Sequence, residues 1–85
     1  MNDNNEQLNN EVCSLSDLGL ITFLSLTLPI LYIDRSDLKR VYFIFSKNAE
    51  IDKIIASYMD DSARVSPQKY QNQVRIIKNL IYENT

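Results

Sequence analysis

Apolar side chains recur along this chain with spacings that change from segment to segment, and the changes mark the elements. Residues 1–13 are dominated by Asn and acidic side chains, with Leu8 and Val12 the apolar exceptions before Cys13. Such a segment buries too little to offset its ordering entropy, so it is expected to be a flexible tail, with the domain occupying 14–85. From there, Ser14 or Ser16 can cap a helix with Asp17 favourable in its first turn, and Leu18, Ile21, Phe23, Leu24 and Leu26 line a helix ending before Pro29. Ile21, Thr22 and Thr27 are β-branched, so strand competes with helix over 16–27.

Pro29–Asp34 and Arg40–Ser46 are short β-rich runs joined by a polar loop, which predicts a hairpin. Val41, Phe43 and Phe45 point to one face of it, Tyr42 and Ile44 to the other. Apolar residues on both faces imply a sheet covered twice or a sheet with a contact surface. Next, Ile51, Ile54, Ile55, Tyr58 and Met59 fall at i, i+3, i+4, i+7 and i+8, an amphipathic helical stripe that Asn48 can cap. It stops at Asp60-Asp61-Ser62. Ala63-Arg64-Val65 reads as an extended link, a candidate third strand. Ser66-Pro67 then gives the strongest helix start in the chain. Tyr70, Val74, Ile77 and Ile81 form the inner stripe of that last helix, widened by Ile76 and Leu80. The fold class is α+β: helix, β-hairpin, helix, helix, with a two- or three-stranded antiparallel sheet.

Size and chemistry narrow the function. Eighty-five residues make one small domain. The 16 residues from Leu18 to Ile33 carry no charge, but a membrane span needs about 20 apolar residues, and Thr22, Ser25, Thr27 and Pro29 interrupt this run. No membrane association is expected. The single Cys13 fits a reducing compartment and a structural role, and the acidic N-terminus lacks the basic start of a secretory signal, so the expected location is the cytoplasm. The chain has no His, one Cys and one Gly. That removes the commonest general base and metal ligand, the usual partner of a nucleophilic thiol, and a glycine-rich phosphate cradle. Asp60-Asp61 and the Asp34, Asp37 pair read as turn punctuation rather than Mg²⁺ ligands. The chain is therefore expected to be no enzyme, with no cofactor, no metal and no small-molecule substrate.

Charge is unevenly placed although the net value is only −2. Residues 1–17 hold Asp3, Glu6, Glu11 and Asp17 with no base, whereas 62–82 hold Arg64, Lys69, Arg75 and Lys78 with no acid. On the last helix Arg75 and Lys78 share the outer face with Gln68, Gln71, Asn72 and Asn79, with Tyr82 beside them. Cations neutralise phosphates, amides read base edges and an exposed Tyr stacks on a base, so the set suits nucleic acid. Arg40 from the hairpin, with Arg35 and Lys39 in its loop, extends the surface.

The segments Asp17-Leu18, Leu31-Tyr32-Ile33-Asp34-Arg35, Arg40-Val41-Tyr42-Phe43-Ile44-Phe45, Ile54-Ile55-Ala56-Ser57-Tyr58, Arg64-Val65-Ser66-Pro67 and Ile77-Lys78-Asn79-Leu80-Ile81-Tyr82 together resemble a family of small domains of unknown function found in bacteria, phages and plasmids. The resemblance covers Ser16 to Tyr82 and implies the helix–hairpin–helix–helix order, deciding for helix over 16–27. It implies no activity and no site. Its setting in mobile elements suggests an accessory to replication or gene control. The expected function is thus a non-enzymatic phage or plasmid accessory contacting nucleic acid, or the machinery working on it, through Arg40, Arg64, Lys69, Arg75 and Lys78. The alternative is a protein–protein adaptor, a homodimer among the options, docking through Tyr42 and Ile44.

Overall fold

A computed structural model describes residues 11–83. The order is β1 (Val12–Leu15), α1 (Leu18–Ser25), β2 (Tyr32–Asp34), β3 (Tyr42–Ser46), α2 (Ala49–Met59) and α3 (Pro67–Tyr82). The α+β reading holds, with helix, hairpin, helix, helix in the expected order. The expected tail falls largely outside the described residues, but its last two, Val12 and Cys13, belong to β1.

The sheet is antiparallel in the order β1-β3-β2. Its third strand is therefore β1, and Ala63-Arg64-Val65 forms no strand. The difference has a simple origin. Val12-Cys13-Ser14-Leu15 alternates exposed and half-buried positions, so Cys13 and Leu15 can join the core while Val12 and Ser14 stay outside. Residues 62–66 instead bridge two helices. β3 is central, and its Phe43, Ile44 and Phe45 are all buried.

Phe43 and Phe45 belong to one cluster with Leu20, Ile21 and Leu24 of α1, Ile51 of α2 and Ile77 of α3. Ile44 points the opposite way and lies outside that cluster. All three helices thus cover a single face of the sheet. The opposite face carries Ile44 between its paired neighbours Ser14 and Tyr32.

Helix α1 starts at Asp17, not at a serine: the Asp17 carboxylate accepts from the Leu20 N–H at 2.9 Å. Its β-branched Thr22 is tolerated because its hydroxyl, fully buried, donates to the Leu18 carbonyl at 2.7 Å. Asn48 caps α2 through the Ile51 N–H at 3.0 Å, and Lys47 pairs with Asp52 at 2.7 Å. Met59 departs from the expected stripe and is 73% exposed, since the helix ends with it. Ser66 caps α3, with Pro67 in the first turn. Ile76 also departs from the inner stripe, at 50% exposure. It lies about 100° around the helix from the fully buried Ile77, on a flank rather than on the core face. Among the described residues no helix is long and apolar enough to cross a membrane.

Candidate nucleic-acid interface

The last helix is positioned at both ends by groups distant in sequence. At its C-terminal end the half-buried Arg35 guanidinium donates to the carbonyls of Leu80 and Ile81, two of the groups a helix end leaves unpaired. Arg35 is a cap. Toward its N-terminal end Tyr70 donates from its hydroxyl to the Gly19 carbonyl of α1 at 3.2 Å, and Gln73 donates to the Ser25 hydroxyl at 2.9 Å.

Gly19 is the one glycine of the chain, and its lack of a side chain is required here. A Cβ at this position would lie 2.5 Å from the Tyr58 hydroxyl and 3.4 Å from that of Tyr70. Two tyrosines, from α2 and α3, therefore converge on the first turn of α1. Burial, the neighbouring Tyr58 and then the Asp17 carboxylate push the Tyr70 phenol above its ordinary range. Phe23 of α1 packs its ring 5.6 Å from that of Tyr58, tilted by 35°.

Above these rings runs the link from α2 to α3. Asp60 is the C-cap of α2, and Asp61 takes the left-handed conformation at φ 66°. The Ser62 N–H reaches back to the Ser57 carbonyl at 3.0 Å and the Asp61 N–H to the Tyr58 carbonyl at 3.3 Å, the double closure of a Schellman motif. The Asp60 carboxylate accepts from Ser62 at 2.9 Å, which holds its pKa below the usual carboxylate range. Asp34 does the same with Ser36 in the hairpin loop, and Asp37 accepts from the Lys39 N–H at 2.8 Å. Three of the four aspartates considered for a metal thus close local turns, and the fourth, Asp61, shapes a helix end. Among the described residues no cluster of metal-ligating side chains forms.

The link stands off the helices and leaves two adjoining cavities that share Phe23 and Val65. One, about 430 Å³, is walled by Tyr58, Tyr70, Ala63 and Asp61. The other, about 350 Å³, is bounded by Leu26, Thr27, Arg64, Ser66 and Lys69. Arg64 is tethered by a single guanidinium nitrogen, which donates to the carbonyls of Asp61 at 3.1 Å and Ala63 at 2.7 Å.

The five expected phosphate contacts fall in three places. Arg64 and Lys69 share the second cavity. Arg75 and Lys78 are exposed about 60° apart on the outer side of α3, Arg75 donating to the Asn72 side chain at 3.1 Å. Lys69 and Lys78, nine residues apart, project about 180° from each other. Arg40 borders a third cavity of about 410 Å³ beside Ile81 and Tyr82, at the far end of the helix. Twelve residues of rise, roughly 18 Å, separate Lys69 from that end. Of the alternative interface residues, Ile44 is 3% exposed and Tyr42 half-buried; Tyr32 and Val12 are the exposed apolar groups of that sheet face.

The residues not singled out from sequence are Phe23, Tyr58, Tyr70 and Gly19. A usable signal existed. A tyrosine on an apolar stripe must lodge its hydroxyl against a polar group, and two such tyrosines with one glycine in the chain invite the question of where they meet.

Against known proteins, the model for the Domain of unknown function (DUF5659) matches residues 10–83. This chain belongs to that family. The DUF5659 match takes in β1, all three helices and every cavity described above. Nothing among the curated proteins or the solved structures matches the chain.

Proposed function

We propose that this DUF5659 domain is a non-enzymatic accessory that contacts nucleic acid through the cations of α3 and of the link before it. The observation that carries this reading is that α3 bears no acid from Pro67 to Tyr82, while its Lys69 and Lys78 have no ion-pair partner among the described residues. Unpaired cations beside exposed Gln and Asn are the composition that phosphate contacts use. Arg64 and Lys69 would neutralise phosphates at the start of the helix, Arg75 and Lys78 on another of its sides, and Arg40 would take a phosphate beyond its C-terminal end. A phage or plasmid setting and a cytoplasmic location are part of this proposal, supported by the resemblance drawn from the sequence and by the lone Cys13. The adaptor reading has less support, because Ile44 already lies buried within the domain.

Fluorescence anisotropy with labelled single-stranded and duplex DNA, at low and moderate salt, tests the proposal. Binding at low salt should weaken steeply as salt rises and collapse when Arg75 and Lys78 are both changed to Ala. No binding to either DNA at low salt would overturn it.

A further inference from the structure

We infer that the paired cavities over the start of α3 seat one unstacked base of a single-stranded nucleic acid, with its phosphate held between Arg64 and Lys69. The inference deepens the nucleic-acid reading and rests on it. Its own warrant is the composition of the two cavities. The larger has aromatic walls, Tyr58 and Tyr70, and the smaller has cations, Arg64 and Lys69, with the Phe23 ring common to both. Aromatic faces beside phosphate-binding cations are what single-strand binding needs, and a duplex keeps its bases stacked and out of reach.

Orientation follows from charge. Asp61 lines the larger cavity, and an acidic residue there disfavours a phosphate and can accept from base N–H donors. The base therefore points toward Asp61 and the backbone toward Lys69. Arg64 is equipped for its role, since its tether uses one terminal nitrogen and leaves the other donors of the fork to an anion. The aromatic wall is also fixed before any ligand arrives. The Tyr70 hydroxyl is committed to the Gly19 carbonyl, and the Tyr58 ring is held by Phe23 and by its close approach to Gly19. A fixed wall costs little further ordering on binding.

The test compares labelled oligo-dT with a duplex of equal length on the full chain, using two variants. Val65→Trp fills the space that the cavities share, from an exposed link position; Phe23→Leu removes a ring while keeping bulk. The wild type should favour the single strand, and each variant should lose roughly tenfold in single-strand affinity with duplex affinity unchanged. Thermal melts identify the variants that remain folded, and two dissimilar substitutions keep the comparison available. Equal affinity for both DNAs with no effect of either variant would overturn the base site and leave the phosphate reading standing. So would a loss shared equally by single strand and duplex. Absence of binding to both DNAs would remove the parent reading as well.

Discussion

At the C-terminal end of α3, Arg35 reaches across from the hairpin loop and turns its guanidinium onto the Leu80 and Ile81 carbonyls. At the N-terminal end, Arg64 is bound to its own link by one nitrogen and faces a cavity that also holds Lys69. The residue type is the same and the helix is the same. What differs is the supply of acceptors: a helix C-terminus presents unpaired carbonyls, whereas an N-terminus presents N–H groups that cannot accept. An arginine at one end is therefore drawn into the fold, and cations at the other remain available to an anion from outside.

That contrast can be broken from either side. Arg35→Ala should cost about 2 kcal/mol in stability, because two helix-end carbonyls lose a charged, half-buried donor, and should leave nucleic-acid affinity nearly unchanged. Lys69→Ala, exposed, should change stability by less than about 0.5 kcal/mol. Urea unfolding of the two variants checks the pair, and equal losses would erase the distinction between the ends.

A second prediction sharpens the packing beneath the N-terminal cleft. Gly19→Ala alone should destabilise by about 1 kcal/mol or more, since its Cβ meets the Tyr58 hydroxyl. In a Tyr58→Phe background the same change should stabilise by roughly 0.5–1 kcal/mol, the ordinary gain of Ala over Gly in a helix. A double-mutant cycle by denaturant unfolding reads the sign reversal.

The smallest effect concerns pH. Folding raises the Tyr70 pKa, so its contribution is complete below the unfolded tyrosine value of about 10 and fades as pH rises through the folded one. Tyr70→Phe should flatten the alkaline limb of stability against pH and leave its slope near neutrality unaltered.

Much of this arrangement was legible in the residues. Ser66-Pro67, Asn48 and the stripe ending in Ile77 and Ile81 place α2 and α3 through local chemistry, and the alternation Phe43-Ile44-Phe45 marks a central strand. β1 was not legible, because four residues behind a polar run acquire strand character only by pairing with Phe43–Ser46, some thirty positions away. Asp17 was assigned to a first turn when it is the cap, a one-residue shift that hydrogen bonding decides. Within the candidate site, the cations were identified by type, and helix arithmetic alone separates Lys69 from Lys78. The cleft itself was hidden, since Phe23, Tyr58 and Tyr70 come from three helices and meet only after packing around Gly19.

The central claim is that cations at the start of α3 meet phosphates. Its most direct measurement is the dependence of single-strand affinity on salt, for the wild type and for the Arg64→Ala/Lys69→Ala double variant. Loss of two phosphate contacts should lower the magnitude of the slope of log K against log salt by about 1.4. A slope unchanged by the double substitution, or no binding by the wild type at low salt, would contradict the account.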